Sequence, residues 1–173
     1  MTTTEPTGDT QAPARSRVVE WGDPIVTAAG MSGRTGLEFL QTLVAGELPP
    51  PPILATIGAA LESVEAGKVV FTLDPAEYHY NPIGSVHGGV YATLLDSAMG
   101  CAVQSMLPEQ VGYTSLDLSV KFLGAIRLGT GRVTCTGTVV HLGRRTALAE
   151  GTLTTQDGKL LATGTSSCLI LGG

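Results

Sequence analysis

From Val90 to Met106 the chain carries apolar side chains on nearly every face of a helix: Val90, Tyr91, Leu94, Leu95, Ala98, Met99, Ala102, Val103 and Met106. Such a helix cannot float on a surface, so the fold must wrap it in protein. Its single charged residue is Asp96. A carboxylate withdrawn from water in that setting is suited to act as a general base near neutral pH. Just upstream, Asn81-Pro-Ile-Gly84-Ser-Val-His87-Gly88-Gly89 forms a glycine-rich entry to the helix. The first free N–H groups, near His87 and Gly88, point outward there and favour an oxyanion.

Helix geometry keeps these two features apart. Gly88 and Asp96 are eight residues apart. At about 1.5 Å of rise per residue they lie roughly 12 Å apart along one axis. They cannot grip the same small group. A reacting atom about 3 Å from both an oxyanion donor and a base requires the Asp96 of a second copy, carried on an antiparallel helix across a two-fold axis.

The flanking sequence says what encloses the helix. Thr35 to Gly46 spaces Leu37, Leu40, Leu43 and Val44 for an amphipathic helix, and the prolines at 49–52 force an extended connector, with a short helix from about Ile53. Ala59–Val64 and Gly67–Leu73 read as paired strands. After Pro108 the pattern is strand-like to the end. Tyr113–Leu123 sets Leu116, Leu118, Val120 and Phe122 against Ser115, Asp117, Ser119 and Lys121, which predicts one strand with one covered face. Gly131–His141, Thr146–Thr155 and Leu160–Leu171 follow, the last two joined at Asp157-Gly158. One long helix with a run of antiparallel strands predicts an α+β fold in which the sheet wraps the helix. Residues 1–17 read as a disordered tail, 18–50 as a helical N-terminal extension and 51–173 as the main domain.

Composition excludes several functions. The 173 residues carry a formal net charge of -5, and the basic residues gather no further than Arg144-Arg145, so nucleic acid is not an expected partner. No apolar run approaches the ~20 residues that span a bilayer, and the N-terminus lacks the apolar core of a signal peptide, which together predict a cytoplasmic protein. Cys101, Cys135 and Cys168, like His79, His87 and His141, are too scattered for a metal site, and the cysteines read as buried small residues.

With these residues in view, the chain resembles the hotdog-fold acyl-CoA thioesterases of the phenylacetate-degradation type. The likeness rests on Asn81-x-x-Gly84-x-x-His87-Gly88-Gly89 with Asp96, on Thr114-Ser115-Leu116-Asp117-Leu118 and Lys121-Phe122-Leu123, and on Gly143-Arg144-Arg145 and Asp157-Gly158-Lys159-Leu160-Leu161-Ala162. It covers about Pro51 to Leu171. The resemblance implies a hotdog fold, hydrolysis of an acyl-CoA to carboxylic acid and coenzyme A, no cofactor, and sites shared across a homodimer that pairs into tetramers. It further implies that Asp96 activates water or attacks the carbonyl, that the Gly88 N–H polarises the carbonyl oxygen with help from Asn81, that His87 shapes the turn, and that Ser115 orients the water. Gly89, Thr114, Arg144 and Arg145 are expected to bind substrate, the arginines by meeting coenzyme A phosphates.

Each role has a plainer counterpart. Asp96 could cap a neighbouring loop, Asn81 before Pro82 could be a turn former, and His87 could bond a backbone carbonyl. Ser115 is ordinary on a polar strand face, and charged hairpin tips such as Arg144-Arg145 are usually solvated. Tyr91, Met99 and Met106 fit an acyl tunnel or a core equally well. Two rival functions stand beside hydrolysis: a hotdog acyl-thioester hydratase or dehydratase, and an acyl-CoA-binding module without turnover.

Overall fold

A computed structural model describes residues 13–172. Most of the expected disordered tail, residues 1–12, lies outside the described residues. Residues 13–17 are described and have no regular secondary structure. Arg17 donates to the Ala55 and Thr56 carbonyls at 2.7 and 2.9 Å, and Arg15 pairs with Glu77 at 3.1 Å.

The helices of the extension follow from their punctuation. Helix α1 spans Pro24–Ala29 and α2 spans Gly36–Val44. The Thr35 side chain accepts from the Glu38 N–H while Glu38 accepts from the Thr35 N–H, which starts α2 cleanly. The prolines then impose an extended run, and α3, Pro52–Ile57, opens on Pro52, where a missing N–H costs nothing.

Strands β1 (Ala59–Glu65) and β2 (Lys68–Leu73) precede the long helix α4, Gly88–Gln104. Then come β3 (Gly112–Ser115), β4 (Ser119–Phe122), β5 (Val133–Leu142), β6 (Thr146–Thr155) and β7 (Leu160–Leu171). All seven form one antiparallel sheet in the order β1-β2-β5-β6-β7-β3, with β4 also on β7. The sheet curls round α4, burying Leu94, Leu95, Met99 and Val103 against Val69, Phe71, Val133, Cys135 and Leu153.

Three glycines set how close the helix comes. Gly137, Gly151 and Gly164 face one another across β5, β6 and β7. A Cβ on Gly137 would lie 2.2 Å from the Ala98 carbonyl, and one on Gly151 would lie 2.9 Å from Leu95. This bare row is the groove into which α4 presses, and any side chain there would lift the helix off the sheet.

Two expectations need correction. Tyr113–Leu123 is two strands, because Ser115 faces Cys168 while Ser119 faces Thr165. Residues 116–118 therefore oppose only 166 and 167, which is a bulge. Asp117 anchors it: its carbonyl accepts from Ser166 Oγ at 2.8 Å and its carboxylate accepts from the Ser167 N–H at 3.2 Å. The extra residue reverses the alternation, so Tyr113 and Ser115 before it and Phe122 after it all face α4, while Leu116 (58 % exposed) and Leu118 are left outside. The helix is also less enclosed than its composition suggests. Thr93, Asp96, Ser97 and Gln104 form a half-buried face, and Met106 is exposed.

Cys135 and Cys168 are buried and all three cysteines are free; burial pushes the Cys135 thiol up to about 12. Among the described residues no helix is long and apolar enough to cross a membrane.

Candidate active site

The helix entry is built almost wholly from backbone. Asn81 folds its own loop: its Oδ1 accepts from the N–H groups of Ile83 and Ser85 at 3.0 and 3.2 Å, and its Nδ2 donates to Ser85 Oγ at 3.2 Å. Gly84, at φ 80°, supplies the left-handed step in that turn. Two further bonds bolt the loop down, His87 N–H to the His79 carbonyl at 2.7 Å and Val86 N–H to the Ile126 carbonyl at 2.9 Å. His79 is itself buried, its ring bridging the Ile57 carbonyl and the Ala76 N–H, and burial holds it below the usual histidine range.

At the start of α4 the donors are accounted for one by one. His87 is the N-cap, and its Nδ1 accepts from the Gly89 N–H at 2.9 Å. The Val90 N–H reaches the His87 carbonyl at 2.9 Å. Among the described residues the Gly88 N–H has no partner. One outward donor at a positive helix end remains, which is what an oxyanion needs. Gly89, expected to bind substrate, cannot offer its N–H, because the His87 ring already takes it.

Gly88 opens onto a cleft of about 430 Å³ that it shares with Asn81, Ile83, Tyr91, Phe122 and Gly124. Phe122 stands over the glycine, so that a Cβ at position 88 would lie 3.1 Å from its Cζ. Tyr91 braces the floor: its hydroxyl donates to the Gly124 carbonyl at 3.0 Å and accepts from the Ile126 N–H at 2.7 Å. Its ring meets Phe122 edge to face at 5.5 Å. Phe122 and the 124–126 turn were not among the candidate residues. Simple alternation placed Phe122 on the face opposite Ser115, and only the bulge turns both inward.

Asp96 lies two turns further along, half-buried on the open face of α4. Its Oδ1 accepts from Ser115 Oγ at 3.2 Å. The structure thus makes two pairs, Asn81 with Gly88 and Asp96 with Ser115. The unbroken helix between them preserves the separation of roughly 12 Å. Thr114 is not brought to either pair, because its strand neighbours Tyr113 and Ser115 face α4 and it faces away. Arg144 and Arg145 sit exposed at the β5–β6 turn, and neither guanidinium has a hydrogen bond or ion pair among the described residues. That turn lies at the β3 end of the sheet, since Ile170 faces Tyr113 on one side and donates to the Arg145 carbonyl at 2.9 Å on the other.

Known proteins share both sequence and shape with this chain. A family model described as the thioesterase superfamily matches residues 83–162. A 1,4-dihydroxy-2-naphthoyl-CoA hydrolase of Listeria monocytogenes is 34 % identical over 107 residues, covering 61 % of this chain and 85 % of that protein. Human acyl-coenzyme A thioesterase 13 is 32 % identical over 105 residues, covering 60 % of this chain and 74 % of that protein. Among solved structures, a phenylacetic acid degradation-related protein of Ralstonia eutropha superposes with a TM-score of 0.68 at 28 % identity, over 75 % of this chain and 98 % of that one.

Proposed function

The chain belongs to the thioesterase superfamily, and from that premise we propose that it hydrolyses an acyl-CoA thioester to a free carboxylic acid and coenzyme A in sites shared between two protomers. The observation that carries the reading is the unpartnered Gly88 N–H at the head of a braced cleft. As water attacks a thioester carbonyl, negative charge gathers on the oxygen, and a fixed donor aimed there is worth roughly 3 kcal/mol of barrier. Asn81 supplies a second polar group beside it, and His87 keeps the helix start open by capping Gly89 instead of Gly88.

Asp96 is the base that takes the proton of water, or the nucleophile that forms an anhydride for water to cleave. Ser115, donating to one carboxylate oxygen, fixes the rotamer so that the other oxygen is aimed. Because the two pairs stand roughly 12 Å apart on one helix, Asp96 and Ser115 of one protomer serve Gly88 and Asn81 of its mate. The outward Leu116 and Leu118, which follow Ser115 in the bulge, support that pairing. The free guanidinium groups of Arg144 and Arg145 suit the phosphates of coenzyme A. The reading calls for no metal or redox cofactor, includes a cytoplasmic setting and allows dimers to pair into tetramers.

Two inactive variants test the shared site. Asp96→Asn removes the carboxylate at constant shape and should cost about 10²-fold or more in turnover, read as thiol release from an acyl-CoA panel. Gly88→Val drives a side chain into Phe122 and should be comparably inactive. Mixed dimers of the two contain one site with both groups intact, so refolding them together should restore activity. Mixed dimers, verified by native mass, that stay as inactive as their parents would exclude a site built from two protomers. Hydration of the acyl chain without thiol release would point to a hydratase instead.

A further inference from the structure

We propose that Tyr113 is the stop that limits how far an acyl group can extend from Asp96, making short-chain acyl-CoA thioesters the substrate class. The inference rests on the hydrolase reading above and deepens it.

Strand β3 and helix α4 run antiparallel and meet in matched rungs. Two residues along a strand advance about 6.8 Å and four along a helix about 6 Å, so contacts recur in step. The first rung is Ser115 on Asp96, the 3.2 Å hydrogen bond. On the next, the Tyr113 hydroxyl lies where a side chain at position 100 would be, 2.2 Å from an ideal Cβ on Gly100. The third is Val111 beside Gln104, and both line an open-sided cavity of about 240 Å³ that they share with Phe39 and Arg34 of the N-terminal extension.

The face of α4 that carries Asp96 runs on towards that cavity, and the rung between them is occupied by Tyr113. Tyr113 is backed by the sheet, opposite Ile170. Burial pushes its hydroxyl well above the usual tyrosine range, with Cys101 and Asp96 adding to the shift, so it remains a neutral plug. Gly100 permits the position, since any side chain there would displace the ring. An acyl group whose carbonyl sits at Asp96 meets the phenol after about one helical turn, roughly 6 Å. Removing the ring would open this face of α4 in the direction of the cavity at Gln104.

Thiol release from acetyl-, butyryl-, hexanoyl- and decanoyl-CoA tests the stop, together with binding of the matching S-alkyl-CoA thioethers. The wild-type protein should lose about tenfold or more in kcat/KM, and in thioether affinity, between butyryl and decanoyl. Tyr113→Ala should reverse that order while butyryl-CoA stays within a few-fold, and adding Val111→Trp should refill the space and restore the short-chain preference. Should Tyr113→Ala fail to assemble, Tyr113→Leu carries the same comparison with a smaller opening. A wild-type preference for decanoyl, or equal losses on every chain length in the variant, would overturn the stop. If thioethers show the length limit while no thioester turns over, hydrolysis fails and the stop stands. A wild-type protein that binds no thioether overturns the stop as well.

Discussion

The two ends of the sheet solve the same problem in opposite ways. At the β1 end the chain supplies its own cover: α2 and α3 pack against the strand, and Phe39, Leu40 and Leu54 are buried in the common core. At the β3–β4 end no helix among the described residues covers the edge, and the strand is broken by a bulge that turns Leu116 and Leu118 outward, with Phe122 57 % and Leu123 59 % exposed in the same stretch. Edge strands are normally blunted by charge, proline or a covering element. Here one edge is closed within the protomer, and the other carries an apolar rim next to Asp96 and Ser115. A closed edge serves stability. An open edge beside Asp96 is where the proposed shared site would place a second copy.

Charging the open edge should have the largest effect. Leu116→Lys with Leu118→Lys sets like charges where two rims would meet, so the protein should sediment as a folded monomer, and thiol release should fall at least about 10²-fold because each half-site loses its complement. Full activity in a proven monomer would erase the distinction between the edges. Truncation at the closed edge should do the reverse. Leu40 is 2 % exposed, and Leu40→Ala should cost about 2–5 kcal/mol in denaturant unfolding while leaving the oligomeric state unchanged. A change of assembly with little loss of stability would mean that this edge, too, faces a partner.

The smallest effect sharpens the comparison at the loop that leads into Gly88. His79 is neutral in the folded chain because burial lowers its pKa from 6.5, whereas the unfolded chain takes up a proton near that value. Its contribution is therefore complete above about pH 6.5 and drains away as the pH falls below it. Thermal unfolding followed from pH 8 to pH 5 should show that decline, and His79→Gln should start from a lower Tm at pH 8 with a flatter profile. A parallel pair of profiles would remove His79 as the source.

Much of this was legible in residues. The all-round apolar pattern of 90–106 required an enclosing sheet, Thr35, Gly46 and the proline run bounded the first helices, and Asp157-Gly158 announced the last hairpin. Those signals are local, so sequence carries them. The strand after the helix was misread because alternation assumes an even count, and one extra residue at Asp117 exchanged the faces. Thr114 and Phe122 changed places in the site for that reason alone. Gly88 and Gly89 likewise look equivalent in a sequence, and the Nδ1 of His87 distinguishes them by closing one N–H and leaving the other.

By itself, the order of residues determined that an acid and a helix-start donor occur on one helix, too far apart to act together, because eight residues of helix have a fixed length. Tertiary structure alone decided which amide is free, which aromatic ring stands over it, and that the phenol of Tyr113 fills the place beside Gly100, one helical turn from Asp96. Those facts depend on how a strand and a helix meet in space, and that register is set by packing between segments distant in the chain.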